Sequence, residues 1–499
     1  DALLGIERGR LRVARPNAGR RERKPIDIFF SALAADQGEH SAGVVLSGGD
    51  GDGTLGLKAV KERGGLTLAQ VADGHGPSYP DMPQSAITSG VVDFALRVSE
   101  MGAKLAEFAR GPHVLDGIVA DTGPAGQTAA LDEARREICA ILRKQVGLDF
   151  AGYKPRTFLR RVGRRMQIVQ VETVEGYLER LRQDPQEVRA LFRDLLISVT
   201  AFFRDADAFG ALATTVVPKL FEGRGADEAV RVWVPGCATG EGVFSIGILL
   251  REHMDRLRVV PRVQIFATDI DERALSVARA ARYPGPLLDS VAPERRERFF
   301  VPDGGSYVVA KEVRDLCIFS PHSVLRDPPF SRIALVSCRN LLIYLGGDAQ
   351  DQVIPIFHYA LRPGGYLFLG TSENVSGSAE LFAPVDKKHR IFRRRSNGTR
   401  AVRLPMALGS QRQSPAVEPA SRRTAAGGFA LRPAVETQVL ERFAPPFVVV
   451  NRDGEVAYYS ARTGKYLVAC APRCTRRSRP GFPPRAAASQ SRARTGGCR

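Results

Sequence analysis

The sequence predicts a mixed α/β chain. A Rossmann-like, doubly wound domain is preceded by an all-α subdomain, and part of a second doubly wound α/β domain stands at the N-terminus. Three observations predict this. Residues 43–70, GVVLSGGDGDGTLGLKAVKERGGLTLAQ, read strand, glycine loop, helix, strand, which is one βαβ unit. Residues 129–205 carry helical periodicity. Residues 206–395 alternate short apolar runs (VRVWV, VQIFATD, LCIFS, IALVSC, YLFLG) with helical stretches, the spacing of a mostly parallel sheet covered by helices.

Taken in order, the first block spans 1–110, and 111-GPHVLDGIVADTGPAGQT-128 reads as a loop separating two domains. In the helical block, Leu131, Ile138, Ile141 and Leu142 share one helical face. The stretch 184-DPQEVRALFRDLLI-197 opens with Asp184 as N-cap, Pro185 in the first turn and Glu187 three residues after the cap, before an apolar stripe of Val188, Leu191, Phe192 and Leu195. After the α/β block, residues 396–430 form a Ser/Pro/Arg/Gly-rich linker. Residues 436–467 read helix, strand, R-D-G turn, strand, and residues 468–499 show no periodicity. The chain begins with Asp and is expected to be a fragment, with a tail that is out of frame or otherwise unrelated.

A length of 499 residues suggests about three domains. The net charge of +18 invites a nucleic-acid reading, but eight arginines after Ala471, with no acid among them, carry much of it. The arginine-rich stretch 154–167 lacks the interleaved aromatics of a single-strand binder, so no nucleic-acid partner is expected. Cys139, Cys237, Cys317 and Cys338 are scattered and form no C-x-x-C pair. That argues against a disulfide framework or zinc site, and for a reducing cytoplasm. No run is apolar enough to span a bilayer and no signal-peptide pattern is present, so no membrane insertion is expected.

The stretch 231-RVWVPGCATGEG-242 holds an apolar strand, a glycine turn and an acid. Gly236 and Gly240 are spaced G-x-x-x-G, unlike the G-x-G-x-x-G of dinucleotide sites. Glu241 falls in the first helical turn. A pyrophosphate there would face a carboxylate and lose much of the favourable field of the helix end; a cationic or hydroxyl-rich ligand would not. S-adenosylmethionine, with its sulfonium, ammonium and ribose diol, fits that description. The plain alternative is a helix-dipole carboxylate without a ligand. In 263-VQIFATDID-271, Asp269 ends the next strand, the place from which an acid holds a ribose diol. A simple N-cap role and the neighbouring Asp271 compete with that reading. With the Pro-Gly-Gly turn of 361-LRPGGYLFLG-370, these features favour a class I methyltransferase over a dehydrogenase.

The second and third blocks closely resemble the chemotaxis-receptor methyltransferase family, CheR. The resemblance rests on 198-SVTAFFRD-205, 233-WVPGCATGE-241, 265-IFATDID-271, 319-FSPHSVLRDPPF-330, 337-SCRNLLIYL-345 and 362-RPGGYLFLGTSE-373, in order along the chain. It implies methylation of glutamate side chains on the cytoplasmic helices of methyl-accepting receptors, with two-component signalling proteins as further partners. Ser198, Thr200 and Arg204 match the family's N-x-T-x-F-F-R motif at the cofactor. Glu241 and Asp269 match acidic cofactor ligands, Ser323 and Val324 a pair beside the adenine, and Arg339 and Asn340 the C-R-N motif. Tyr344 would face the reacting methyl. Arg204 and Tyr344 are the candidates for orienting the acceptor, with an ion pair and a core tyrosine as their plain alternatives. An acceptor glutamate has a free pKa of about 4.3 and is ionised at neutral pH, so no general base is needed. The protein must align it and exclude water.

Three positions depart from the family: Ser198 and Ser323 each replace Asn, and Gly242 replaces a second Glu. Each lost hydrogen bond to a neutral group costs about 0.5–1.5 kcal/mol, which predicts weakened cofactor affinity. A rival reading from a different class is a non-catalytic signalling scaffold, opposed by the retained Thr200, Arg204, Glu241, Asp269 and Arg339. A nucleic-acid methyltransferase is a third, but the C-R-N segment lacks an Asn/Asp-Pro-Pro-Tyr site. In 154-KPRTFLRRVGRRMQ-167, Arg160, Arg161, Arg164 and Arg165 fall at helical spacing. They read either as a solvated face or, following the family, as a docking face for an acidic receptor helix.

The first block, through residues 43–70 and 82-MPQSAITSGVVDF-94, resembles the C-terminal part of the receptor methylesterase family, CheB. Asp52 aligns with the acid of its Ser-His-Asp triad. The serine would lie upstream of Asp1 and His40 does not match the catalytic histidine, so ester hydrolysis is not expected of this chain. A turn role is the alternative for Asp52. Residues 436–467 resemble the start of a PAS sensor domain.

Overall fold

A computed structural model describes residues 2–15, 24–74, 76–110, 125–196 and 200–396, together with the strand backbones of 448–450 and 456–459. The chain divides into two compact units, residues 1–410 and 411–499. In the second, β16 (Val448–Val450) pairs antiparallel with β17 (Val456–Tyr459), the expected strands on either side of the R-D-G segment. The linker beyond Ser396, the helix expected at the start of 436–467, the tail and Ser198 lie outside the described residues.

The first block opens with the hairpin β1 (Leu3–Glu7) and β2 (Arg10–Ala14), then α1 (Pro25–Gln37). β3 (Ala42–Val45), α2 (Thr54–Arg63) and β4 (Leu66–Gln70) make the expected βαβ unit. After α3 (Asp81–Thr88), β5 (Phe94–Leu96) completes a parallel sheet of order β3-β4-β5, followed by α4 (Val98–Arg110). Leu57, Val60, Leu66 and Leu68 are buried between helix and sheet. Helices α1 and α2 cross so closely that a side chain at Gly56 would meet Phe30 at 2.5 Å.

The helical block contains α5 (Ala125–Val146), α6 (Pro155–Ile168), α7 (Val174–Gln183) and α8 (Pro185–Leu195). Leu131, Ile138 and Leu142 are buried as the periodicity requires, Ile138 and Leu142 against Phe158, Val162, Leu181 and Leu191, with Ile141 half-buried beside them. Asp184 caps α8 through Gln186 N–H at 2.8 Å. Glu187 does not close a capping box. Its carboxylate instead takes the Arg165 guanidinium at 2.7 and 3.0 Å and the Tyr177 hydroxyl at 2.8 Å, because a buried carboxylate is held best by a bidentate arginine.

In the third block, α9 (Ala206–Thr215) and α10 (Val217–Phe221) precede β6 (Ala229–Pro235). Then come α11 (Glu241–Met254), β7 (Arg262–Asp269) and α12 (Glu272–Ala280). The seven-stranded sheet adds β11 (Cys317–Pro321), β12 (Ile333–Cys338), β13 (Leu361–Leu369), β14 (Phe382–Asp386) and β15 (Ile391–Arg394) in the order β11-β7-β6-β12-β13-β15-β14. Its first five members run parallel, and β15 is antiparallel to both its neighbours, β13 and β14. On β6, Val230, Val232 and Val234 pack on one face and Trp233 on the other, where α13 (Gly347–Ala360) lies, so both faces are covered.

The hairpin β1–β2 and α1 were not foreseen, nor was a small sheet within the third block. β8 (Arg282–Pro284), β9 (Phe300–Asp303) and β10 (Ser306–Val309) form a small antiparallel sheet between α12 and β11. Its only sequence signal is the Gly304-Gly305 turn, where both residues have positive φ.

Candidate active site

The strand order reverses between β6 and β12, and the ligand crevice of such a sheet opens there, beyond the strands' C-terminal ends. The turn after β6 begins at Gly236 (φ 65°), and Gly240 (φ 95°) is the N-cap of α11. A side chain at Gly240 would meet Ala278 at 2.9 Å and the Tyr283 hydroxyl at 3.1 Å, so the close approach of α12 also demands glycine. Two hydrogen bonds stitch the turn: Cys237 N–H donates to Thr268 O at 3.0 Å, and the Tyr283 hydroxyl donates to Thr239 O at 2.6 Å.

Asp269 ends β7 as expected. Its Oδ2 accepts Ala238 N–H at 2.8 Å and its Oδ1 accepts Asp271 N–H at 2.9 Å. Burial pushes its carboxyl pKa up. Asp271 is the N-cap of α12, accepting from Arg273 and Ala274 N–H, and unlike Asp269 it does not line the cavity described below.

Glu241, the first residue of α11, is 1% exposed. Its Oε2 accepts the Thr239 hydroxyl at 2.6 Å, and its Oε1 lies 3.8 Å from Lys58 Nζ of the first block. The same ammonium hydrogen-bonds the carbonyl of Thr200. Residues 202–205 are drawn onto α11 by Ser245, whose hydroxyl accepts Phe203 N–H at 2.9 Å and donates to Glu241 O at 2.7 Å.

Arg339 is directed at this segment. It donates to Arg204 O at 2.7 Å and Asp205 Oδ2 at 2.6 Å, and its guanidinium lies over the Phe209 and Phe368 rings at 4.9 and 4.8 Å. These contacts aim it at the 204–205 backbone, and it does not line the cavity that holds Asn340. Asn340 takes positive φ at the bend after β12. Glu373 fixes that bend by accepting N–H bonds from Gly370, Leu342 and Asn340 at 2.7, 2.7 and 3.0 Å.

A cavity of about 480 Å³ is lined by Gly236, Ala238, Asp269, Ser323, Val324, Asn340 and Tyr344. Six of the sequence candidates thus meet in one space. Burial raises the Tyr344 pKa, Glu62 adds to it, and Arg161, Arg204 and Arg160 oppose it. Ser323 N–H is held by Asp327 at 2.8 Å. Sequence reasoning missed Glu373, His322 and Tyr153. Tyr153 comes from the helical block, which is joined to the 345–346 segment through Gly346 N–H to Gly152 O at 2.8 Å and a bridge between Tyr153 and Leu345. No local sequence signal could have placed Tyr153 there; Glu373 stood in view, two residues beyond the YLFLG strand's glycine-threonine turn. Glu241 faces another cavity, of about 490 Å³, shared with Lys58, Lys61 and Arg165.

The arginines of α6 are not a free face, which corrects the docking expectation for this arrangement. Arg161 and Arg164 are buried, at 3% and 4% exposure. Arg161 donates to Lys61 O and Glu62 O at 3.3 and 3.0 Å, and Arg164 to Gly64 O and Gly65 O at 2.9 and 3.2 Å. They satisfy carbonyls at the C-terminal end of α2, where a helix leaves acceptors orphaned and favours cations. Arg164 also pairs with Asp93 and Asp194, and Arg165 with Glu187; Arg160 is half-buried. Asp52 is likewise structural: it accepts N–H bonds from Ile26 at 3.1 Å and from Asp27 and Gly53 at 2.9 Å, tying the glycine loop to the start of α1.

Residues 198–391 match the family model "CheR methyltransferase, SAM binding domain", residues 133–196 "CheR methyltransferase, all-alpha domain", and residues 3–105 "CheB methylesterase". The chain is similar to an uncharacterized 104.1 kDa protein of Rhodobacter capsulatus, 34% identical over 93% of this chain and 50% of that one, so it spans about half the length of that relative. It is 35% identical to the putative methyltransferase Cher3 of Pseudomonas putida, over 52% of this chain and 96% of the relative. The chemotaxis protein methyltransferase of Escherichia coli is 31% identical over 51% of this chain and 92% of its own. No helix among the described residues is long and apolar enough to cross a membrane.

Proposed function

Because the chain belongs to the CheR family of chemotaxis methyltransferases, we propose that it forms glutamate methyl esters on the cytoplasmic helices of methyl-accepting receptors, with S-adenosylmethionine as cofactor. The carrying observation is the cavity between the Gly236–Gly240 turn and Asp269, with Tyr344 on its wall. The donor set fits the cofactor. Each Asp269 oxygen takes one backbone N–H and keeps acceptor capacity for a ribose hydroxyl. Gly236 leaves room for close backbone approach, and Val324 offers an apolar edge to a flat base. Glu241, the buried first residue of α11, is the candidate for the cationic end, although its carboxylate here faces Lys58 in the neighbouring cavity.

The cofactor, when bound, supplies an electrophilic sulfonium methyl. The chain's residues then have to hold an acceptor carboxylate in line and keep water away. Arg204 is the candidate for the carboxylate's charge. Tyr344, whose raised pKa keeps the phenol protonated, is the candidate hydrogen-bond donor beside it. The retained Glu241 and Asp269 favour this reading over the scaffold. The hairpin of β16 and β17 supports reading residues 436–467 as the start of a PAS-type sensor. Two-component signalling proteins remain the partners that such an architecture suggests.

Calorimetric titration of S-adenosylhomocysteine into the full chain tests the proposal, with Glu241→Ala as control. Binding lost in the control, together with base-labile methyl esters on receptor fragments, is expected. A folded chain that binds no cofactor at millimolar concentration would return the scaffold to first place.

A further inference from the structure

Helix α2 of the first block carries Lys58 and Glu62 at i and i+4, so both project from one face. That face meets two of the candidate site residues, Glu241 and Arg204. Lys58 Nζ stands 3.8 Å from Glu241 Oε1, with the two side chains only 11% and 2% exposed, and it also donates to Thr200 O. One turn further on, Glu62 Oε1 lies 3.8 Å from the Arg204 guanidinium. The carbonyls at the end of the same helix are held by Arg161 and Arg164.

We propose that α2 is an intramolecular pseudosubstrate: Lys58 stands where the cofactor's cationic end is expected against Glu241, and Glu62 stands where the acceptor carboxylate is expected against Arg204. The inference rests on the methyltransferase reading above. A helix docked on the arginine face of α6 with a glutamate directed to Arg204 has the chemistry attributed to a receptor helix. Intramolecular and receptor helices therefore compete for one seat.

The two ion pairs differ in weight. The Arg204–Glu62 pair is about one-third exposed and screened by solvent. The Lys58–Glu241 pair and the bonds from Arg164 are buried, so the closed arrangement depends mainly on them. A closed population lowers apparent cofactor affinity by the fraction of molecules that are open. Glu62 is not itself an acceptor here, because Lys58 on the same helix opposes cofactor binding while α2 is docked.

The test uses the full chain. S-adenosylhomocysteine is titrated calorimetrically into wild type, Lys58→Met and Lys58→Arg. Lys58→Met is expected to bind on the order of tenfold more tightly, and Lys58→Arg like wild type. Equal binding by all three would overturn the pseudosubstrate and leave the methyltransferase reading standing. Absence of binding in all three folded proteins would overturn that reading, and the inference with it. In unmutated protein, saturating S-adenosylhomocysteine is expected to raise amine labelling of Lys58, read by mass spectrometry. Unchanged labelling with cofactor bound, or a base-labile methyl ester on the Glu62 peptide after incubation with S-adenosylmethionine, would overturn the proposal.

Discussion

Asp269 at the end of one strand accepts the backbone N–H of Ala238 in the turn after the neighbouring strand, at 2.8 Å. One carboxylate therefore both shapes the glycine turn and presents acceptors to the cavity. Asp269→Asn keeps the size but places an amide N–H₂ opposite one of two backbone donors. Cofactor affinity is expected to fall by roughly tenfold or more, checked by calorimetry alongside circular dichroism.

Glu373 accepts three backbone amides with one carboxylate. Glu373→Gln directs an N–H₂ at donors it cannot satisfy. A loss of about 1–3 kcal/mol of stability is expected, read from denaturant unfolding of the full chain. An unchanged midpoint would show that Glu373 does not brace the 340–342 bend.

Asp27 gives a pH signature. Burial pushes its pKa up to about 6, with Asp52 adding to the rise against the opposing Gly56 N–H and Lys24. The folded state thus favours the protonated form. Its contribution is fully present below the unfolded pKa near 3.8 and is lost as pH rises through about 6. Asp27→Asn is expected to slow amide exchange in α1 at pH 8, by an amount on the order of 3 kcal/mol, and to have little effect at pH 4. Equal exchange at both pH values would refute this.

Asp93 titrates in the opposite sense. Burial raises its pKa, but Arg164 and Lys61 outweigh burial and hold it at about 2. Its stabilisation is present above the unfolded pKa near 3.8 and is lost as pH falls through about 2. Removing the arginine is more severe. Arg164→Met leaves Asp93 and Asp194 buried without their shared cation, and a cost of about 3–5 kcal/mol is expected in thermal or denaturant unfolding.

Gly242 stands in the first turn of α11, and a Cβ at this position would meet no other atom within 4 Å. Gly242→Ala is expected to stabilise the chain by about 0.5–1 kcal/mol through helix propensity alone, read as a raised melting temperature.

The sequence by itself determined the βαβ unit of 43–70, the Asp184 cap, the apolar faces of α5 and α8, and the turn that joins Gly236, Gly240 and Glu241. These depend on local period and backbone conformation, which neighbouring residues specify. It also carried Asp269 and Tyr344, because each sits at a strand end or in a motif of recognisable order. Only the tertiary structure decided where the long arginines point. Arg339 turned to the 204–205 backbone and Arg161 to helix carbonyls some hundred residues away, since a guanidinium settles wherever acceptors lie buried and no local pattern reveals them. The same holds for Lys58 and Glu62: on the sequence they are one turn of a surface helix, and packing alone brings them to Glu241 and Arg204.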